Sequence, residues 1–273
     1  MIRRIQGPIE KLKKPNLSTR EKISARVFCL LAMISMPNSS ATFSFLMIDN
    51  ASVKPQVAIS ACLNGRAVRY DGSSKTLATT TTFLSKALDL LPICPEVGAG
   101  MSTPRPPIQL VDNNGQIAAI GRDDKTLNPT AALLRFRQQS IDPLGLSLCG
   151  YIFKSRSPSC GVNSTPIFAS TGEAIGFGSG LQAAYVQQTL PWLPIREEQQ
   201  LASEEQCEQF IFQCRLLQDL YLGCQQHGLA AVDRHYSEVI NSLPTPSQTA
   251  LKQSLQTGQK EKYWQELLRA LAS

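Results

Sequence analysis

The stretch QVAISACLNG, residues 56–65, predicts the first strand of the fold. Residues 57–59 form a short apolar run, and the pair Asn64-Gly65 is typical of the point where a strand has ended. Cys62 therefore lies at the carboxyl end of this strand. That end of a strand is where a parallel sheet binds its ligands.

Outward from this strand, the sequence alternates between strand and helix patterns. Further strands are predicted over residues 90–94 and 146–154, and helices over residues 77–90 and 127–140. The second helix has an N-cap residue in Asn128. This alternation predicts an α/β domain with a parallel sheet and helices on both faces.

Three of the eight cysteines stand beside glycine or proline where an element ends. Cys62 follows the first strand, Cys94 ends the second, and Cys160 lies in the turn KSRSPSCG after the third. Because the carboxyl ends of parallel strands meet at one edge, we expect these thiols to converge. The other five are interpreted as small buried hydrophobic residues: Cys29, Cys149, Cys207, Cys214 and Cys224.

Three converging thiols leave the identity of a metal open, and three unrelated thiols are the simpler alternative. Structural zinc sites take four ligands and usually include a Cys-x-x-Cys pair, which this sequence lacks. An iron–sulfur cluster accepts scattered thiolates, and three ligands on four irons leave one iron open. Such an iron is a Lewis acid that can bind a sulfur atom. A zinc-dependent hydrolase that uses the same three cysteines and water stays an alternative.

The net charge of +6 is concentrated in residues 1–46. This segment holds eight Lys or Arg and two Glu, whereas the rest of the chain holds 19 basic and 19 acidic residues. The balanced remainder lacks the positive excess that phosphate-backbone binding requires, so no nucleic-acid partner is expected for the core. We interpret residues 1–46 as a basic leader, disordered or not native. A signal peptide around apolar residues 27–36 is the alternative.

With 273 residues, 42% of them hydrophobic, the chain is long enough for one substantial core and an appendage. We expect the α/β domain over residues 47–196 and a helical extension over residues 197–273. From residue 203 onward, apolar residues recur at steps of three and four, which predicts one apolar helix face. This face consists of Cys207, Phe210, Cys214, Leu217 and Tyr221.

Three blocks of the sequence together resemble the 2-thiouracil desulfidase family: ISACLNGRAVRYDGSSK, PICPEVGAGMSTPRPP and KSRSPSCG. The resemblance covers roughly residues 54–194. It implies an α/β domain that carries a [4Fe-4S] cluster on Cys62, Cys94 and Cys160. It also implies that the iron without a protein ligand captures the sulfur of a thiolated nucleobase such as 2-thiouracil. Water then replaces that sulfur in a hydrolysis without net redox change.

Polar residues inside these blocks are the candidates for catalysis and substrate binding. Glu96, two residues after Cys94, is the candidate general base because its carboxylate would lie within reach of a ligand on the cluster. Ser157 flanks the Cys160 turn and is the second catalytic candidate, as a hydrogen-bond donor to the substrate or to cluster sulfide, although serines in such turns often satisfy the local backbone instead. The candidate substrate-binding residues are Asp71, Arg105, Lys154 and Ser159. For the charged residues among them, ion pairs that hold the loops together are the alternative.

The expected partner is a small thiolated nucleobase, with no membrane partner, and a homodimer is left open. Ligand thiols would be at risk of disulfide formation outside the cell, so we expect a cytoplasmic location. Two functional classes compete with the enzyme. One is the zinc-dependent hydrolase, and the other is a protein that uses the cluster only to sense thiolated compounds or oxidants.

Overall fold

The computed structural model describes residues 53–272, except for the side chains of residues 81, 82, 146, 271 and 272. The predicted leader, residues 1–46, lies outside the described residues. The strands are β1 (Gln56–Ser60), β2 (Asp89–Ile93), β3 (Ile108–Asn113), β4 (Gln116–Gly121), β5 (Leu148–Phe153), β6 (Thr165–Ala169), β7 (Ala174–Gly178) and β8 (Ile195–Glu197). The helices are α1 (Ser85–Ala87), α2 (Pro95–Gly98), α3 (Thr130–Ile141), α4 (Leu181–Thr189), α5 (Glu204–His227), α6 (Leu229–His235), α7 (Ser237–Ser242), α8 (Thr245–Gln256) and α9 (Lys260–Ala272).

The first sheet is parallel and has the strand order β2-β1-β5-β8. The β1–β2 register runs from Gln56↔Asp89 to Ser60↔Ile93, and β5 pairs with the other edge of β1. β5 is buried along its whole length, as is typical of a parallel strand covered on both faces. The parallel α/β fold that the sequence predicts is therefore confirmed.

Helices cover both faces of this sheet at β5. A Cβ atom added to Gly150 would lie 2.7 Å from Cys214 Sγ and 3.0 Å from the Phe210 ring, so this position faces α5. The missing side chain lets the helix approach the strand closely. Tyr151 faces the other way because side chains alternate along a strand, and its phenol lies beside Gln182 of α4.

A second sheet is present that the sequence analysis does not predict. Its strand order is β4-β3-β6-β7, with β3 antiparallel to β4 and parallel to β6, and with β6 antiparallel to β7. The β3–β4 hairpin turns at Asn114 and Gly115, where φ is 54° and 85°. Two successive positive φ values are typical of the type I′ turn that Asn-Gly favours, and this pair is the signal that was missed.

The second sheet packs against α3 and α4 through a core of its own. Side chains from β3, β4, α3 and α4 meet in this cluster. Its buried members are Ile108, Leu110, Ala119, Leu133 and Leu181. β6 directly follows the loop that holds Cys160, so this sheet fixes one end of that loop.

Two helix predictions are wrong in their bounds. Residues 77–90 are predicted as one helix, but a π-helical turn and the short α1 come before β2, which begins at Asp89. β-branched threonines occupy the start of this segment and restrict helix packing. α3 begins at Thr130, with Pro129 as N-cap instead of Asn128. Asn128 Oδ1 still accepts a hydrogen bond from the Thr130 N–H at 3.2 Å.

The carboxyl-terminal helices begin with α5, which buries the predicted apolar face. The five residues of that face are all buried: Cys207, Phe210, Cys214, Leu217 and Tyr221. At its amino end, Ser203 Oγ accepts a hydrogen bond from the Gln206 N–H in a capping box. No helix in the described part of the chain is long and apolar enough to cross a membrane.

Candidate active site

The structure brings Cys62, Cys94 and Cys160 to the wall of one cavity of about 420 Å³. The topology explains this convergence, because β2, β1 and β5 are neighbours in the parallel sheet. Cys94 directly follows β2, Cys62 lies two residues after β1, and Cys160 lies in the loop that follows β5. Their strands all end at the same edge.

The three thiols are free, partly or fully buried, and close enough to influence one another. Burial, and to a smaller extent the neighbouring Cys94, raise the pKa of Cys62 to about 11, although Lys154 and Arg69 act in the opposite direction. Burial also raises the pKa of Cys160, with smaller contributions from Cys62 and Cys94 in the same direction. Three thiolates at this position would therefore repel one another unless a cationic group were bound between them.

The spacing of these thiols bears on the kind of metal group they fit. No set of three or more His, Cys, Asp or Glu side chains within residues 53–272 is gathered closely enough to hold one metal ion. A zinc ion would require its thiolates about 2.3 Å from one point. In an iron–sulfur cluster each thiolate binds a different iron, so the ligands lie further apart around a cavity. Three thiolates at the wall of one cavity are a donor set that an iron–sulfur cluster accepts.

Ser157 shapes the turn that carries Cys160. Its Oγ accepts hydrogen bonds from the backbone N–H groups of Ser159 at 3.3 Å and of Cys160 at 3.2 Å. These bonds satisfy the local backbone, as a serine in a turn commonly does. Arg156, just before it, has φ of 57°, a left-handed conformation that costs a non-glycine residue conformational energy. Ser157 also lines the cavity.

Gly180, the N-cap of α4, packs directly against the Cys160 turn. Its N–H donates to the carbonyl oxygen of Gly161 at 2.8 Å. A Cβ atom at Gly180 would lie 2.5 Å from the carbonyl carbon of Ser159 and 2.7 Å from the nitrogen of Cys160. Only glycine allows this close approach of two backbones.

Glu198 anchors the start of the Cys160 loop. Its Oε1 accepts hydrogen bonds from Lys154 Nζ and from Ser155 Oγ, and its Oε2 accepts from the Ser155 N–H at 2.7 Å. Lys154 Nζ also donates to the carbonyl oxygen and to the Oγ of Ser155. A lysine ammonium has three N–H groups, and these three acceptors engage them. Lys154, a predicted substrate-binding residue, therefore holds the loop while it lines the cavity.

Glu197 anchors the other end of the same loop. Its Oε1 accepts from the Val162 N–H at 2.7 Å and from Ser164 Oγ at 2.5 Å. Sequence reasoning missed both carboxylates, because they lie more than 30 residues from the groups they bind and no local pattern links them.

Glu96 is buried, lines the cavity, and is held from two sides. Arg105 binds Glu96 Oε2 through Nε at 2.7 Å and through Nη2 at 2.6 Å. Ser159 Oγ donates to Glu96 Oε1 at 3.0 Å. Arg105 and Ser159 were expected to bind substrate, yet their polar groups fix the orientation of Glu96. Arg105 lines the cavity, whereas Ser159 is not among its lining residues.

Asp71 is exposed and is not among the residues that line the cavity. It accepts hydrogen bonds from the N–H and Oγ of Ser73, and these bonds lower the pKa of its carboxyl. It also pairs with Arg69 at 3.3 Å. Asp71 thus shapes a turn from which Arg69 and Tyr70 reach the cavity wall.

Ser60, at the end of β1, is a site residue that the sequence analysis missed. It is 1% exposed and lines the cavity. Its Oγ accepts a hydrogen bond from the Lys154 N–H at 3.0 Å, and its hydroxyl lowers the pKa of Cys160 through a hydrogen bond. Its place two residues before Cys62 is the signal that could have identified it.

Comparison with known proteins finds a matching family model, a relative of similar sequence and a solved structure. The family model of 2-thiouracil desulfurase matches residues 57–198. The uncharacterized protein YbbK of Bacillus subtilis strain 168 is 27% identical over 143 residues, which are 48% of this chain and 89% of YbbK. A solved structure of the [4Fe-4S]-dependent thiouracil desulfidase TudS has 28% sequence identity and a TM-score of 0.44. The match covers 54% of this chain and 93% of TudS.

The family match spans all three cysteines, the Cys160 loop and the carboxylates that anchor it. It ends at Glu198, the residue that closes the loop through Lys154 and Ser155. All the residues that line the cavity thus lie within the family match. This chain belongs to the 2-thiouracil desulfurase family.

Proposed function

We propose that this chain removes sulfur from a thiolated nucleobase such as 2-thiouracil by hydrolysis, with a [4Fe-4S] cluster held by Cys62, Cys94 and Cys160. The convergence of these three free thiols on one cavity is the observation that carries the proposal. Family membership supports it. When bound, the cluster would supply a Lewis-acidic iron for the substrate sulfur. Water oxygen replaces the sulfur, which leaves as hydrogen sulfide without net redox change.

Glu96 takes the proton of the attacking water in this proposal. Arg105 binds Oε2 twice, so Oε1, which receives only the Ser159 hydroxyl among the described residues, is the oxygen with a free lone pair. Two fixed partners hold the carboxylate in one orientation beside the cavity, which favours proton transfer at a defined position.

In this proposal, Ser157 and Lys154 hold the Cys160 turn and its loop in place. Ser157 holds the Cys160 turn through its Oγ, and Lys154 holds the loop to Glu198. Tyr70 is a side chain at the cavity wall that is left to contact a nucleobase. The proposed partner is a small molecule, and a homodimer and a cytoplasmic location stay predictions.

The first test is the iron and acid-labile sulfide content of the chain purified without oxygen. We expect about four irons and four sulfides per chain, and none in the triple variant Cys62→Ala, Cys94→Ala, Cys160→Ala. The matched control is Cys207→Ala, Cys214→Ala, Cys224→Ala, which removes three buried thiols of α5 outside the cavity. This control should keep its iron. A metal-free or zinc-loaded parent after anaerobic reconstitution would contradict the proposal.

Turnover then separates an enzyme from a sensor. The loaded chain should convert 2-thiouracil to uracil with one sulfide released per uracil formed, measured by absorbance and sulfide assay. A cluster that binds thiolated compounds without product would favour the sensing protein instead.

A further inference from the structure

Tyr70 presents an exposed aromatic ring at the wall of the cavity. Its side chain is 41% exposed, and it lines the same cavity as the three cysteines. Phe168 of β6 is the other aromatic residue in this lining. Ligand cavities are commonly lined by aromatic side chains, and an exposed ring gains free energy when a ligand covers it. Packing within the described part of the chain leaves that free energy unused at Tyr70.

The backbone around Tyr70 is fixed to the site at two points. The carbonyl oxygen of Tyr70 accepts a hydrogen bond from the Arg105 N–H at 2.8 Å. Farther along the same loop, the Lys75 N–H donates to the carbonyl oxygen of Cys62 at 2.9 Å. The loop therefore holds Tyr70 in a defined place relative to Cys62 and to the arginine that binds Glu96.

Arg69 fixes the orientation of the Tyr70 ring. Its guanidinium lies 5.6 Å from the ring centroid, within the range of a cation–π contact. Arg69 Nη1 donates to Ser73 Oγ at 2.6 Å and lies 3.3 Å from Asp71 Oδ2, so the guanidinium is itself held in place. The turn closes through the Gly72 N–H, which donates to the Arg69 carbonyl oxygen at 2.9 Å. The cation covers one face of the ring, which leaves the other face for a ligand.

We propose that Tyr70 stacks on the ring of the thiolated base, and that this contact determines the affinity of the site for a planar heteroaromatic substrate. The inference rests on the proposed function, because it takes a nucleobase to be the substrate. Stacking requires only the π face of a base. A ring that is already oriented loses little conformational entropy when the base binds. The aromatic ring of Tyr70 supplies the contact, and its hydroxyl is not required.

Phe168 is the competing stacking platform. It lies on β6, between β3 and β7, and pairs with Val111 on one side and with Ala174 on the other. Side chains directly opposite each other in a sheet contact one another, so these neighbours cover part of the Phe168 ring. Phe168 is half-buried, whereas Tyr70 is exposed. Tyr70 therefore offers more ring surface to a ligand.

The test is the dissociation constant of uracil for the cluster-loaded full chain, measured by equilibrium dialysis. Uracil has the ring of 2-thiouracil without the sulfur, so its affinity reports on recognition of the ring. We expect Tyr70→Leu to weaken uracil binding by about 10-fold, whereas Tyr70→Phe, which keeps the ring, should bind like the parent. The matched control is Phe177→Leu, at an aromatic side chain that is 70% exposed and does not line the cavity. It should also bind like the parent.

Iron content and turnover give two further readouts. All variants should keep the iron of the parent, because none of them changes a thiol. Tyr70→Leu should raise the KM for 2-thiouracil with a much smaller change in kcat, as expected when binding of the ring is lost in the ground state and in the transition state alike. Loss of iron from Tyr70→Leu would instead show that the residue supports the cluster loop, and it would overturn the inference.

Three affinity results would also overturn the inference while an iron-loaded, active parent leaves the proposed function intact. These results are parent affinity for uracil in Tyr70→Leu, equal losses of affinity in Tyr70→Leu and Tyr70→Phe, and a loss that occurs in Phe168→Leu but not in Tyr70→Leu. Equal losses would mean that the hydroxyl makes the contact, and the third result would make Phe168 the stacking platform. A parent without iron overturns the proposed function itself.

Discussion

At the scale of single residues, the site depends on buried polar groups that each have a defined partner. Glu96 shows this most clearly, because Arg105 and Ser159 engage both of its oxygens while the residue still lines the cavity. An ion pair of this kind is costly to break from one side, since the remaining charge is left buried. Loss of Glu96 therefore affects both catalysis and the local structure, and a test must separate the two effects.

We predict that Glu96→Gln lowers turnover of 2-thiouracil by about 10²-fold or more, because the amide cannot accept the water proton. Its iron content should stay at the parent value, since no thiol is changed. The control is Glu173→Gln, an exposed carboxylate of the β6–β7 turn, which should leave turnover unchanged. A Glu96→Gln variant with parent turnover would show that another group accepts the proton.

At the scale of elements, the Cys160 loop is held by its contacts with α4, with Glu197 at the end of β8 and with Glu198 directly after it. We predict that Gly180→Ala reduces the iron content of the protein, because the new Cβ would lie 2.5 Å from the backbone of Ser159 and must displace the loop. Iron analysis after anaerobic purification measures the effect. Gly172→Ala is the control. Its φ of 94° makes alanine strained, but the added Cβ meets nothing within 4 Å. Both variants should unfold at a lower temperature, and only Gly180→Ala should lose iron.

The elements also show how much the sequence can predict. The strands that precede Cys62, Cys94 and Cys160 carry short apolar runs and alternate with helix patterns, so their parallel arrangement could be predicted from the sequence. The second sheet was missed because β3 and β4 are only partly buried and lack continuous apolar runs. The Asn114-Gly115 turn is the local signal for their hairpin.

The partners inside the site were harder to predict than the cysteines. The binding of Lys154 by Glu198 joins residues 44 positions apart, which no local pattern encodes. Arg105 and Lys154 were expected to contact substrate because their blocks resemble those of the family. The structure shows each one engaged by a carboxylate of this chain instead. A charged residue can thus line the cavity and at the same time hold the surrounding loops through an ion pair.

At the scale of the whole molecule, Asp219 of α5 makes stability depend on pH. Burial raises the pKa of its carboxyl from 3.8 to about 6, while Arg215 opposes this shift. The negative charge of Asp219 also raises the pKa of Cys149 of β5 and of Tyr236 between α6 and α7. The folded protein therefore binds this proton more tightly than the unfolded chain, and the contribution to stability is lost as the pH rises from about 4 through about 6.

We predict that Asp219→Asn raises the free energy of unfolding at pH 7 by up to about 3 kcal/mol, since one pKa unit corresponds to 1.36 kcal/mol. The gain should shrink as the pH falls below about 6 and should vanish near pH 2, well below the ordinary aspartate pKa of about 3.9, where the parent carboxyl is protonated in both states. Denaturant unfolding at several pH values measures this difference. Asp123→Asn, at a side chain that is 73% exposed, serves as control and should match the parent at every pH. A constant gain across the whole range would instead mean that Asn packs better than either form of the carboxyl.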